Sequence, residues 1–394
     1  MIMGLIMLAL GRSCLAVAET RHELKYTPMR RRGPNAWQNF SKVDYGDFST
    51  PNRLHVHSVD DSSNPTYTRE VALFLMDLKM RQINISTVDR LDNALARDLE
   101  FRCFGLQQNV QRGKSLLHGM HHVFPHIKGK LVRALKALHG WEKIHIPGEG
   151  RPMSRSAVFA VVSWFLKNGH TWEAVCAWLS WDCFLRESDW ESVRLEDIFV
   201  VGEIFGSSAP QVTLRLGTAH RGLSTKTGPN HMVIVDSPLL RRILALLKEA
   251  GEPGDPLFCF RQHAFRLLWH KALHKLGIEP LPPHTLRHSR PAHLIWTGEA
   301  SLEEVRRRGR WRQLKSVQRY TKTGQLLMFE SMMPKEVDQA GRAFVLDIPN
   351  GLLSAVKGRA GAKTVGDRIV LAAAQAELPG PAPKPRWQRV RTHK

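Results

Sequence analysis

Apolar residues recur at helical spacing in four successive stretches: 69–80 (REVALFLMDLKM), 87–101 (TVDRLDNALARDLEF), 110–124 (VQRGKSLLHGMHHVF) and 129–144 (GKLVRALKALHGWEKI). Side chains three and four apart share a helix face, so each stretch predicts a short helix whose other face is basic. Two more helices are predicted over 156–169 and 172–185. The period then changes to two. QVTLRL and HMVIVDS alternate on either side of a Gly/Thr/Lys turn, which predicts a hairpin inside a small antiparallel sheet between residues 198 and 235. Helical spacing returns at 239–249 and 261–277, then around His284–Arg287, at 302–310 and near Tyr320. The fold class expected is mainly α with one small antiparallel β-sheet (α+β).

Breaks in the pattern suggest boundaries. Residues 1–64 read as a poorly ordered leader, since 21–64 are rich in Arg, Pro, Asn, Ser and Asp and carry no sustained period. A helical domain is expected over 65–146, a Pro/Gly/Arg linker over 147–153 and a second domain over 154–345. A basic, Pro-rich tail is expected over 346–394, ending in LPGPAPKPRWQRVRTHK. The opening MIMGLIMLAL is apolar but short and lacks a basic start, so it reads as an uncertain beginning rather than a signal peptide. With no apolar run of 18 residues, no membrane span is expected.

Charge narrows the partner. Among 394 residues, 57 Lys and Arg stand against 36 Asp and Glu, a net charge of +21. The excess runs through nearly every segment, and a polyanion is its simplest counterpart. Cys14, Cys103, Cys176, Cys183 and Cys259 are scattered with no CxxC pair, as in a reduced intracellular protein. His118, His121, His122 and His126 cluster, but no Cys or carboxylate completes a metal set around them. No nucleotide-binding glycine loop is present. No cofactor is expected.

The candidate chemistry lies at His284–Tyr320, PHTLRHSRPAHLIWTGEASLEEVRRRGRWRQLKSVQRY read from Pro283. His284 and Arg287 fall three apart, an Arg/Gly-rich turn brings Trp311, and Tyr320 follows. A phosphodiester reaction needs cations around the phosphate oxygens and an oxygen nucleophile, and this set supplies both without a metal. Upstream, Arg186 follows an apolar helix, Asp189 follows it by three, and Leu195, Asp197 and Ile198 lead into the sheet; Lys226 sits in the hairpin turn STKTG. Taken singly, each has an ordinary structural use, such as a cation at a helix end or a core tryptophan.

Together and in this order, these residues resemble tyrosine recombinases, the phage-integrase-like enzymes that break and rejoin DNA. The resemblance spans about residues 151–323 and departs from the family pattern at Asp189 (usually Glu), at Pro291 inside the His-x-x-Arg helix and at the basic run Arg308–Arg310. It implies a core-binding domain followed by a catalytic domain, together clamping duplex DNA. It also implies Tyr320 as nucleophile forming a 3′-phosphotyrosyl bond, with Arg186 and Arg287 on the phosphate and Lys226 protonating the leaving oxygen. His284 and Trp311 would act as hydrogen-bonding groups, and Asp189 would brace the site. Self-association into a tetramer on paired DNA sites, a mobile-element origin and a nuclear or nucleoid location complete the expectation. Two alternatives stay open: a type IB topoisomerase-like nicking–closing enzyme, and a catalytically inactive, transposon-derived DNA-binding protein.

Overall fold

The structure, a computed structural model, describes residues 63–145, 150–201, 210–318 and 322–378. The leader before residue 63, the end of the tail from 379 and Tyr320 lie outside the described residues. The chain divides into two compact units, Met1–Gly148 and Glu149–Lys394.

The first unit contains α1 (Asn64–Met80), α2 (Val88–Glu100), α3 (Val110–Val123) and α4 (Val132–Ile144). Their apolar stripes meet in one core, with Val71, Leu95, Leu116 and Met120 fully enclosed. The helix starts follow from local chemistry. The side chain of Thr87 accepts from the Arg90 N–H, and that of Asn109 from the Gln111 N–H, which satisfies N–H groups that a helix start leaves open. Asp92, buried on α2, accepts from the N–H groups of Arg133 (2.8 Å) and Ala134 (2.9 Å) and so caps α4 from a neighbouring helix. Buried Arg102 ties the end of α2 to α1 by bonds of 2.6 Å to both Asp98 and Glu70.

The second unit opens with α5 (Arg155–Lys167) and α6 (Thr171–Asp182), both almost wholly buried. A five-residue helix follows, α7 (Glu187–Glu191). Then come β1 (Ile198–Val201), β2 (Gln211–Leu216) and β3 (His231–Ile234), antiparallel in the order β1-β2-β3. Ile198 lies opposite Leu214 and Leu214 opposite Val233, so one face of the sheet enters the core. The unit continues with α8 (Pro238–Ala250), α9 (Gln262–Lys275), α10 (Thr285–Trp296), α11 (Leu302–Arg308), α12 (Leu314–Gln318) and α13 (Thr323–Met332). It closes with α14 (Lys335–Leu346), α15 (Ile348–Lys357) and α16 (Val365–Glu377). The architecture is mainly helical with one small antiparallel sheet.

One expectation changes. Residues 346–378 are not a tail. Leu352, Val356, Val370 and Ala373 are buried in the same core as α5. Thr364 and Asp367 cap α16 reciprocally, at 3.0 and 3.1 Å. The basic, Pro-rich ending drew attention away from an apolar helical period just before it. The segment after Tyr320 packs in cis: α13 lies on α10, with Leu326 and Phe329 buried. Helix α14 lies so close to α5 that a Cβ on Gly341 would collide with the Ser156 carbonyl.

Candidate phosphate site

The sequence-predicted residues that the structure describes converge at one place in the second unit. Helix α6 ends at Asp182, and Phe184 turns the chain in a left-handed conformation (φ 52°). This turn delivers Arg186 in extended conformation at the start of α7. Asp189, one turn on and 2 % exposed, accepts from the Arg186 backbone N–H at 3.0 Å. Its Oδ2 lies 4.0 Å from Nη1 of the Arg186 guanidinium.

His284 sits immediately before α10 and Arg287 in its first turn. The helix runs on through Pro291. Arg287 is fully buried. It donates from Nη1 to the Phe184 carbonyl and from Nη2 to the Gly309 carbonyl at 2.7 Å. Its guanidinium lies 4.8 Å from the centre of the Trp311 ring, a cation–π contact. Trp311 is itself buried in a small cluster with Phe184, Leu294, Val305 and Val317. It is thus a platform beneath Arg287. Gly309 is required here because the Trp311 ring folds back over it and would strike a Cβ.

Lys226 is exposed in a tight turn closed by reciprocal backbone bonds between Thr225 and Gly228, at 2.9 and 3.0 Å. Asp197 anchors the base of this hairpin. Fully buried, it accepts from the Arg194 N–H (3.1 Å), Arg215 Nε (2.9 Å), Thr218 Oγ1 (2.8 Å) and Arg221 Nη2. Burial pushes the Asp197 carboxyl up, but these donors bring it below the usual carboxylate range. From the other side, Arg312 Nη2 reaches the Thr227 carbonyl at 3.5 Å.

Electrostatics tie the pieces together. Burial lowers the pKa of His284, and so do the charges of Arg287, Arg186 and Lys226, while Asp189 opposes them. His284 meets His288 edge to face at 5.0 Å, and burial drives His288 down to about 3. Two arginines, a lysine, two histidines and one carboxylate therefore share a single field. A neutral imidazole among fixed cations can both accept and donate a proton or hydrogen bond beside an anion. Tyr320 lies outside the described residues, between α12 and α13. On either side of it, Val317 is buried with Trp311, and Lys322 adds its charge to the field around His288.

The phage integrase family model matches residues 165–325, which contain Arg186, Lys226, His284, Arg287, Trp311 and Tyr320. No curated protein matches the chain. Among solved structures it is similar to a XerA recombinase, at 12% identity and a TM-score of 0.34, covering 72% of this chain and 96% of that one. It is also similar to a XerH site-specific recombinase bound to palindromic difH substrate in a post-cleavage complex. There the identity is 13% and the TM-score 0.43, covering 67% and 78%.

The matched stretch holds one further cation that sequence reasoning did not single out. Arg310 stands in the left-handed conformation (φ 59°). Its side chain is buried, and Nη2 donates to Asp189 Oδ2 at 2.8 Å and to the Phe184 carbonyl at 3.2 Å. The available signal was the arginine run Arg308–Arg310 approaching Trp311, one of the departures from the family pattern.

Proposed function

We propose that this chain is a site-specific recombinase that cuts and rejoins duplex DNA through a covalent bond to Tyr320. The observation that carries the reading is the joint field on His284, which Arg186, Arg287, Lys226 and Asp189 all shape. These residues come from the α6–α7 turn, the hairpin and α10, and only the fold assembles them. The family match over residues 165–325 supports the same reading.

In this reading the Tyr320 oxygen attacks the scissile phosphorus. The bond from phosphorus to the 5′-oxygen breaks, leaving a 3′-phosphotyrosyl link and a 5′-hydroxyl. Arg186 and Arg287 stabilise the charge that grows on the non-bridging oxygens, Arg186 directly and Arg287 from its buried seat. Lys226, on an exposed turn, supplies the proton to the departing 5′-oxygen. His284 takes the tyrosine proton and, once protonated, bonds a phosphate oxygen. Attack by a 5′-hydroxyl of another strand reverses the chemistry and rejoins. Because the phosphotyrosyl link conserves the bond energy, the reaction requires neither a nucleotide nor a metal. Duplex DNA is the partner, four protomers on paired sites are the working assembly, and the protein acts in the nucleus or nucleoid as part of a mobile element.

One observation favours non-catalytic DNA binding instead. Arg287 is wholly buried, and its fork bonds two backbone carbonyls. A single experiment separates the two. The protein is incubated with a pool of nicked duplexes carrying a randomised core, and covalent protein–DNA adducts are isolated under denaturing conditions and mapped by peptide mass. An adduct at Tyr320 that Tyr320→Phe abolishes supports the recombinase. DNA retention with no adduct supports the binder, and an adduct at Tyr26, Tyr45 or Tyr67 removes the assignment.

A further inference from the structure

Asp189 is a buried carboxylate shared by two guanidiniums. Arg310 Nη2 is 2.8 Å from its Oδ2, and Arg186 Nη1 is 4.0 Å from the same atom. The Arg310 side chain is only 5 % exposed. Its Nε and Nη1 are buried and make no hydrogen bond among the described residues, and the same holds for Arg186 Nη1. Buried N–H groups of a cation are costly to leave open. Two positive charges against one negative leave an excess in a place sheltered from water, and burying unbalanced charge is costly as well. Both costs fall when an anion with several acceptor oxygens comes within reach of these N–H groups. The chain also accepts a left-handed backbone at Arg310, where a side chain is disfavoured.

We propose that Arg310 is a third anion-binding guanidinium of this site, giving an open N–H of Nη1 to a phosphate oxygen while Nη2 stays on Asp189 and the Phe184 carbonyl. This rests on the reading of the site as a phosphodiester centre and adds to it a residue outside the predicted set. A guanidinium suits both contacts, because its N–H groups point outward in fixed, different directions and the bonds of Nη2 leave those of Nη1 open. Asp189 then has two uses. It fixes Arg310 and Arg186, and its charge tempers their grip on the phosphate.

The test uses the full chain and inorganic phosphate as probe, with affinity measured by calorimetry. Wild type binds phosphate saturably. Arg310→Met weakens binding by about tenfold or more, and Arg310→Lys, which keeps charge but loses the fork, falls between. Asp189→Asn tightens binding, because it removes the competing negative charge. That sign is opposite to the one expected if Arg310 serves Asp189 alone, and it decides the matter should Arg310→Met fail to fold. No saturable phosphate binding by wild type, an Arg310→Met affinity within about twofold of wild type, or weaker binding by Asp189→Asn each overturns the proposal. Adduct formation keeps the two readings apart. If wild type forms the Tyr320 adduct and Arg310→Met forms it equally fast, the recombinase stands and Arg310 loses its role. If Arg310→Met loses phosphate binding but wild type forms no adduct, the anion site stands and the recombinase falls.

Discussion

Two buried aspartates in the second unit are each ringed by arginines, and they have opposite charge balance. Asp197 has Glu196 beside it, and the two carboxylates face Arg215 and Arg221, at 2.9 Å from Asp197 to Arg215 and 3.4 Å from Glu196 to Arg221. Charge balances there. Asp189 alone faces Arg186 and Arg310. Open N–H groups do not distinguish the two places, since Arg221 Nε is also buried without a hydrogen-bond partner among the described residues. Net charge does. A balanced cluster is complete as it stands and holds the hairpin, whereas an unbalanced one gains from a bound anion.

The largest effect is expected from breaking the balanced cluster. Asp197→Ala strands two arginines around a buried void and should cost about 3–5 kcal/mol in urea unfolding. Added phosphate should recover little of that loss. A cost below about 1 kcal/mol would mean that the cluster is solvated and that the contrast with Asp189 is false. The next largest effect belongs to the unbalanced cluster. Arg186→Ala should slow adduct formation by about 10²–10³-fold while shifting the urea midpoint little, since its charge matters most as phosphorus becomes five-coordinate. Equal losses of stability and rate would assign Arg186 to the scaffold.

Acid should act on the same domain more gently. Burial, the first cause in each case, lowers His288 from 6.5 to about 3 and His293 to about 4. A depressed histidine is neutral in the fold and protonates more readily once unfolded. Stability is therefore fully present above about pH 6.5 and is lost progressively as pH falls toward 4 and then 3. His293→Gln should flatten the melting temperature between pH 6 and 4, and an unchanged slope would place the acid sensitivity elsewhere. Salt gives the smallest effects. Duplex affinity should fall with a log–log slope of about −5 to −9, and deletion of 379–394 should reduce its magnitude by about 1 to 2 with adduct formation unchanged. A slope near −1 in the full chain would mean that its positive charge is not spent on duplex phosphates.

How much was legible varies by residue. Helical period marked the helices of the first unit and most of those in the second up to Tyr320, because burial of one face imposes spacing on the sequence itself. The alternation of QVTLRL placed β2 and the Lys226 turn for the same reason. Composition misled at the end of the chain, where proline and charge at 379–394 coloured the reading of apolar helices α15 and α16. Trp311 illustrates a different limit. The family resemblance implied a hydrogen-bonding group there, and only the packing shows that the ring also seats the Arg287 guanidinium.

Residue type and spacing alone settled most elements up to Tyr320, the family resemblance, the positive charge and the order Arg186, Lys226, His284, Arg287, Trp311, Tyr320. Tertiary packing was needed to establish that Arg287 is buried against two carbonyls, that α13 packs in cis, and that Arg310 joins Arg186 on Asp189. Those facts depend on which distant segments share a dry space. Arg310 and Asp189 are 121 residues apart in the chain and 2.8 Å apart in the fold. No local pattern records such a pairing, because the energy that selects it comes from desolvation and exists only once the core has closed.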